Sequence, residues 1–150
     1  MNQIKKSALT QSASPEQLLQ YLKKHIKYKG VSKPFLYTAK EVVMRKEGHC
    51  WETSELIYRE LTSLGYTCIL LYIQDPEAKF ITHTTVFYNK DRVWNWFELC
   101  LSGLTNITAE FNSLEEAACF IEKICKEKIK DCNYIIKIGY SEIKEKTTQK

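Results

Sequence analysis

Residues 39–65 read AKEVVMRKEGHCWETSELIYRELTSLG, and this stretch decides the architecture. It opens on a capping box, Thr38-Ala39-Lys40-Glu41, in which a hydroxyl and a carboxylate satisfy the unpaired N–H groups of a helix start. The box predicts a short helix that stops at Gly48. From Cys50, residues Ser54, Ile57, Leu61 and Leu64 follow at helical spacing, so a further helix runs from about Cys50 to Leu64 with Cys50 on its inward face. Gly65 supplies its C-terminal stop. Two helices therefore meet at a Gly-His-Cys corner, with a thiol at the first residue of the second.

Upstream, Ser14-Pro15-Glu16-Gln17 starts another helix: Ser caps, Pro takes the first helical position and Gln17 completes the box. Leu18, Leu19, Leu22 and Ile26 form its apolar stripe, and Gly30 ends the region. Downstream, the pattern changes to strands. Residues 67–73 are β-rich and mostly apolar, as in a central strand, and Asp75-Pro76 breaks them. Residues 80–88 and 92–99 form two more, joined by the turn Asn89-Lys90-Asp91. Ser113-Leu114-Glu115-Glu116 opens a last helix, and residues 133–140 a last strand. Helices first, then a strand meander, then one helix and one strand is an α+β order, not alternating βαβ. The 150 residues fit one domain, 1–150, with the polar segment 141–150 as a loose tail.

With 44% hydrophobic and 27% charged residues, the chain has material for a real core, which excludes collagen-like and disordered classes. No apolar run approaches the roughly 20 residues of a membrane-spanning helix, and the N-terminal segment lacks the apolar region of a signal peptide. A cytoplasmic location is the expectation, with no membrane partner. A net charge of +4 on scattered lysines argues against nucleic-acid binding, which usually shows a sharper basic patch or a known module. The six cysteines, at 50, 68, 100, 119, 125 and 132, form no CxxC pair, and the three His, at 25, 49 and 83, are not at zinc spacing from them. No metal site is expected, and five of the six read as small buried hydrophobes.

Cys50 is the exception. The free N–H groups and dipole of a helix start favour an anion, hence a thiolate; the competing reading is one more buried thiol. Gly48 permits a tight turn and close approach of a substrate backbone. A thiolate nucleophile needs a base, and the base an orienting acceptor. His83 lies inside a strand, which holds an imidazole rigidly, whereas His25 falls on a polar helix face and His49 in the corner loop. A two-residue loop at Lys90-Asp91 pairs His83 with Glu98 across the hairpin, and a three-residue loop puts Asn95 on the His83 face instead. Glu98 is the favoured third member and Asn95 the reserve. Trp51 and Trp96 are candidates to line a substrate cleft, with core packing as the alternative for each.

Gly48-His49-Cys50-Trp51 resembles the Gly-x-Cys-Trp of transglutaminase-like cysteine enzymes, and 39–65 resembles their helix–Gly-x-Cys–helix–Leu-Gly core. Their pattern continues through a strand, a strand carrying His, and a strand with an aromatic and an acid, here 67–73, His83, Trp94 and Glu98. The resemblance covers about residues 36–100. It implies a papain-like or transglutaminase-like core, with the catalytic helix packed on an antiparallel sheet. It further implies a Cys50-His83-Glu98 triad performing acyl transfer or hydrolysis at a carboxamide or peptide bond through a thioester, without a cofactor. The family's acid is usually Asp, and this chain has Glu. A protease, amidase or deamidase acting on a protein or peptide fits the small size better than a crosslinker. The alternatives are a non-catalytic domain of this fold that binds a protein or peptide and, lower, an arylamine N-acetyltransferase, whose Arg-x-Gly-Gly-x-Cys-x-Glu motif is echoed by Arg45, Gly48, Cys50 and Glu52.

Overall fold

In the computed structural model of the protein, residues 4–29, 36–75, 80–98, 110–128 and 135–139 are described. Helix α1 spans Pro15–His25. Ser14 Oγ accepts from Gln17 N–H, and Gln17 Oε1 accepts in return from Ala13 N–H, so the box closes one residue early. Strand β1 (Lys27–Tyr28) follows. Helix α2 (Ala39–Arg45) carries the full Thr38–Glu41 box. It ends three residues before Gly48, because Lys46 turns left-handed at φ 60° and frees Glu47–Gly48 to form β2. β1 and β2 pair in parallel, with Tyr28 opposite Gly48. Helix α3 is Cys50–Ser63, and Gly65 follows at φ 99°, a conformation that suits glycine.

The strands β3 (Thr67–Asp75), β4 (Phe80–Lys90), β5 (Val93–Phe97) and β6 (Glu110–Phe111), then helix α4 (Leu114–Lys128) and β7 (Ile135–Gly139), complete the described chain. One five-stranded sheet has the order β6-β5-β4-β3-β7, and every pair is antiparallel. The fold is thus α+β on an antiparallel sheet. Strand alternation sorts the side chains. Cys68, Leu70, Val86, Tyr88 and Phe97 pack with the apolar stripes of α1, α2 and α3. Ile69, Leu71, Phe87 and Trp96 pack with Ala117, Ile121 and Ile124 of α4. Cys68, Ile69, Leu70 and Leu71 of β3 are buried on alternating faces, which explains their continuous apolar run.

The hairpin between β4 and β5 departs from the sequence reading. Its loop is Asp91-Arg92, both at positive φ (55° and 68°), and Lys90 pairs with Val93. Two left-handed residues make the turn whose twist matches the flanking strands. The register therefore slides by two residues relative to a Lys90-Asp91 loop. It keeps each residue's face but gives it a new partner: Phe87 meets Trp96 rather than Trp94.

Cys119 is exposed, against the expectation of a buried thiol, because α4 turns Ala117, Ile121 and Ile124 inward. Cys68 is buried. The side chains of Cys100, Cys125 and Cys132, Gly30 and the tail 141–150 lie outside the described residues. Among the described residues, no helix is long and apolar enough to cross a membrane.

Candidate active site

Cys50 is the first residue of α3 and half-buried. The corner that delivers it is tightly built. Gly48 is fixed by its pairing in β2, and its carbonyl accepts from Lys29 N–H at 3.0 Å. A Cβ at Gly48 would meet Thr53 Cγ2 at 3.3 Å and Val42 at 3.4 Å. Its glycine requirement thus comes from close packing of the corner onto α2 and α3, with no positive φ involved.

His49, read from sequence as a loop residue, is the N-cap of α3. Its Nδ1 accepts from Trp51 N–H (3.1 Å) and Glu52 N–H (3.4 Å). Glu52 Oε1 accepts from His49 N–H at 3.2 Å and lies 3.5 Å from His49 Nε2. Glu52 Oε2 accepts from Tyr37 N–H, which ties the chain before α2 to the same turn. A carboxylate buried completely thus holds together three segments around the thiol. Two of the helix-start donors that the sequence left open for an anion are occupied by the imidazole. The signal was present as His-Cys-Trp-Glu, a box spacing, but His is not among the preferred cap residues.

One turn beyond Cys50, Ser54 is buried and its Oγ donates to the Thr84 carbonyl at 2.9 Å. This bond fastens the start of α3 to β4. His83 is the residue before Thr84, paired in register with Ile73. The next pair is Gln74 with Ile81, which leaves Thr82 as an extra residue in β4. A bulge therefore lies directly beside His83, and bulges re-aim the side chains around them.

Glu98 is 6% exposed. Its Oε2 accepts from Thr85 Oγ1 at 2.5 Å, and Trp96 Nε1 donates to the same Thr85 Oγ1 at 2.7 Å. Continuing the β4–β5 register past Phe97–Val86 sets Glu98 opposite Thr85, so Thr85, rather than His83, is its direct cross-strand neighbour. His83 stands two residues farther along β4, a diagonal position at same-face spacing. Asn95 pairs with Tyr88 and its Nδ2 donates to the Val93 carbonyl at 3.1 Å. With a two-residue loop in place, Asn95 takes the other face, and the reserve assignment falls away. Trp96 is buried, stacked on Phe87 and edge-on to Phe120. It is a core residue rather than a cleft wall. Trp51 is half-buried against the core beneath α3.

Burial pushes Cys68 up to about 11, against a smaller opposing hydrogen bond from Thr62, so Cys68 stays protonated at neutral pH. Among the described residues, no group of three His, Cys, Asp or Glu side chains is arranged to hold a metal ion.

No protein-family model matches the sequence, and no curated protein matches it. Among solved structures, the chain is similar to Legionella pneumophila LapG, with a TM-score of 0.43 and 12% identity over 66% of this chain and 64% of that one. Against the EGTA-treated form of LapG the TM-score is 0.43 and the identity 11%, over 64% of this chain and 59% of that one. The chain thus spans less than two thirds of the length of the LapG chains.

Proposed function

We propose that the protein is a transglutaminase-like cysteine enzyme that cleaves carboxamide or peptide bonds of a protein or peptide substrate through a thioester. The observation that carries this reading is the Ser54–Thr84 bond. It fastens the helix end bearing Cys50 to the strand bearing His83, one turn from the first and one residue from the second. Cys50 begins on the α3 side of the sheet, and the Glu98 carboxylate is held by Thr85 and Trp96 on the α4 side. In this reading His83, next in sequence to the bulge at Thr82, exchanges protons with Cys50 and is oriented by Glu98.

In the proposed reaction the Cys50 thiolate attacks the carbonyl carbon, and the oxyanion is received by the Cys50 backbone N–H at the start of α3. The adjoining Trp51 and Glu52 N–H groups are taken by His49, so a second oxyanion donor comes from elsewhere. Protonated His83 gives its proton to the leaving amine as the C–N bond breaks, leaving a thioester on Cys50. Neutral His83 then takes a proton from water, which attacks the thioester and releases the acid and the thiolate. Glu98 fixes the ring tautomer.

A second reading, a non-catalytic domain that binds a protein or peptide, is favoured by one observation: His49 Nδ1 takes the Trp51 and Glu52 N–H groups, two of the helix-start donors that would stabilise a Cys50 thiolate. An assay for peptide hydrolysis, glutamine deamidation and amine incorporation on wild type, Cys50→Ala and His83→Ala separates the two. We expect each variant to lose at least about 1,000-fold in turnover. Equal activity in all three overturns the catalytic reading.

A further inference from the structure

We propose that Thr85 and Trp96 form a one-way hydrogen-bond relay that positions the Glu98 carboxylate, making both positioning residues of the candidate site. The inference rests on the reading of Glu98 as the acid that orients His83, but the relay itself is built from atoms that can be followed without it.

The direction of the relay follows from donor chemistry. An indole N–H only donates, so at 2.7 Å from Trp96 Nε1 the Thr85 hydroxyl is an acceptor. Its own single proton must then go to another acceptor. Two oxygens are within reach, the Phe97 carbonyl at 3.4 Å and Glu98 Oε2 at 2.5 Å. The shorter distance makes Glu98 Oε2 the acceptor. The chain therefore reads Trp96 N–H to Thr85 O–H to Glu98 carboxylate, each donor polarising the next. It ends on Glu98 Oε2 as the acceptor. All three side chains are buried, so water does not compete for these bonds.

The relay is anchored at its far end. The Trp96 ring is stacked on Phe87 at 6.5 Å with a 19° interplanar angle, and it meets Phe120 of α4 edge-on at 5.3 Å. Packing of α4 thus sets the indole, the indole sets the hydroxyl and the hydroxyl sets the carboxylate. In the proposed site, this fixed carboxylate is what orients His83. The relay also explains how Glu works in place of the usual Asp: the extra methylene adds a rotatable bond, and a fixed Oε2 removes that freedom.

The test uses Thr85→Val, Thr85→Ser, Trp96→Phe and Glu98→Gln in the full chain, with two readouts. The first is the Trp96 indole N–H proton resonance, identified by its loss in Trp96→Phe. We expect it protected from solvent exchange in the wild type and in Thr85→Ser. In Thr85→Val it should exchange at least about tenfold faster, and in Glu98→Gln it should shift, because the hydroxyl then faces a neutral amide. An indole resonance unmoved in both Thr85→Val and Glu98→Gln overturns the relay, whether or not the protein turns over a substrate. The second readout is the pH profile of Cys50-dependent turnover. Thr85→Val should lose about 10- to 100-fold in kcat with little change in KM and move the acid limb of the profile. Thr85→Ser should restore both. A wild type without Cys50-dependent turnover overturns the enzymatic reading while the indole resonance still decides the relay. Active variants with wild-type profiles overturn the positioning role.

Discussion

The two faces of the central sheet are built by different means. Against the α3 face, segments distant in sequence are held by carboxylates buried completely and satisfied by backbone N–H groups: Glu52 ties Tyr37 and His49, and Glu60 ties Leu9 and Thr10. Against the α4 face, a set of contacting rings, Phe87, Trp96, Phe111 and Phe120, packs among aliphatic side chains, and a polar chain runs from Trp96 through Thr85 to Glu98. A carboxylate bonded to N–H groups fixes a backbone in one arrangement, and stacked rings fix a side chain. The first suits delivery of Cys50 at a chain corner, the second suits orientation of a single acid.

The largest expected break is in the ring cluster. Trp96→Ala removes a buried indole and leaves Thr85 without its donor, and we expect a loss of about 3–5 kcal/mol in chemical denaturation. Leu56→Ala, fully buried under α3, should cost about 2–5 kcal/mol, so the faces are comparable in apolar strength. They separate in what comes loose. Glu60→Ala leaves the Leu9 and Thr10 N–H groups unpaired at a cost of about 1–3 kcal/mol. Hydrogen exchange should accelerate at those two amides while the amides of Phe87 and Trp96 remain slow.

A pH dependence marks the α3 face. Burial pushes Cys68 up to about 11 and, with smaller repulsion from Glu16, Tyr88 up to about 12. Both groups hold their protons more tightly folded than unfolded. Stability is therefore complete below pH about 8.5 and is lost as pH rises toward 11, since the unfolded chain ionises first. Denaturation midpoints at pH 8 and 10.5 should differ in the wild type, and Cys68→Ala should flatten part of that difference. Asn95→Ala is the smallest expected effect. Its side chain donates to the nearby Val93 carbonyl, and we expect under about 0.5 kcal/mol in stability and little change in turnover.

Much of this arrangement was legible in the sequence, for reasons that differ by residue. The Thr38–Glu41 box and the spacing after Cys50 announce α2 and α3 because capping and helical periodicity are local. The faces of the β4–β5 hairpin survived an error in the loop because a slide of two residues preserves strand alternation. The register partners did not survive, Phe87 meeting Trp96 in place of Trp94, since Asp91-Arg92 is not a sequence that advertises a left-handed turn. Strands β1, β2 and β6 have two residues each, too short for any period. His49 as a cap and Glu52 and Glu60 as buried ties depend on partners brought from elsewhere in the chain, which no window of sequence contains.

The proposed pairing of the Cys50 thiol with His83 is tested most directly by iodoacetamide labelling, resolved by site, in wild type and His83→Ala at pH 6 to 9. We expect Cys50 to be labelled at least about tenfold faster than Cys119 at pH 6, with Cys68 slowest. His83→Ala should abolish that advantage at low pH without slowing Cys119. A Cys50 rate no greater than that of Cys119, or one unchanged by His83→Ala, would contradict the assignment of Cys50 and His83 as nucleophile and base.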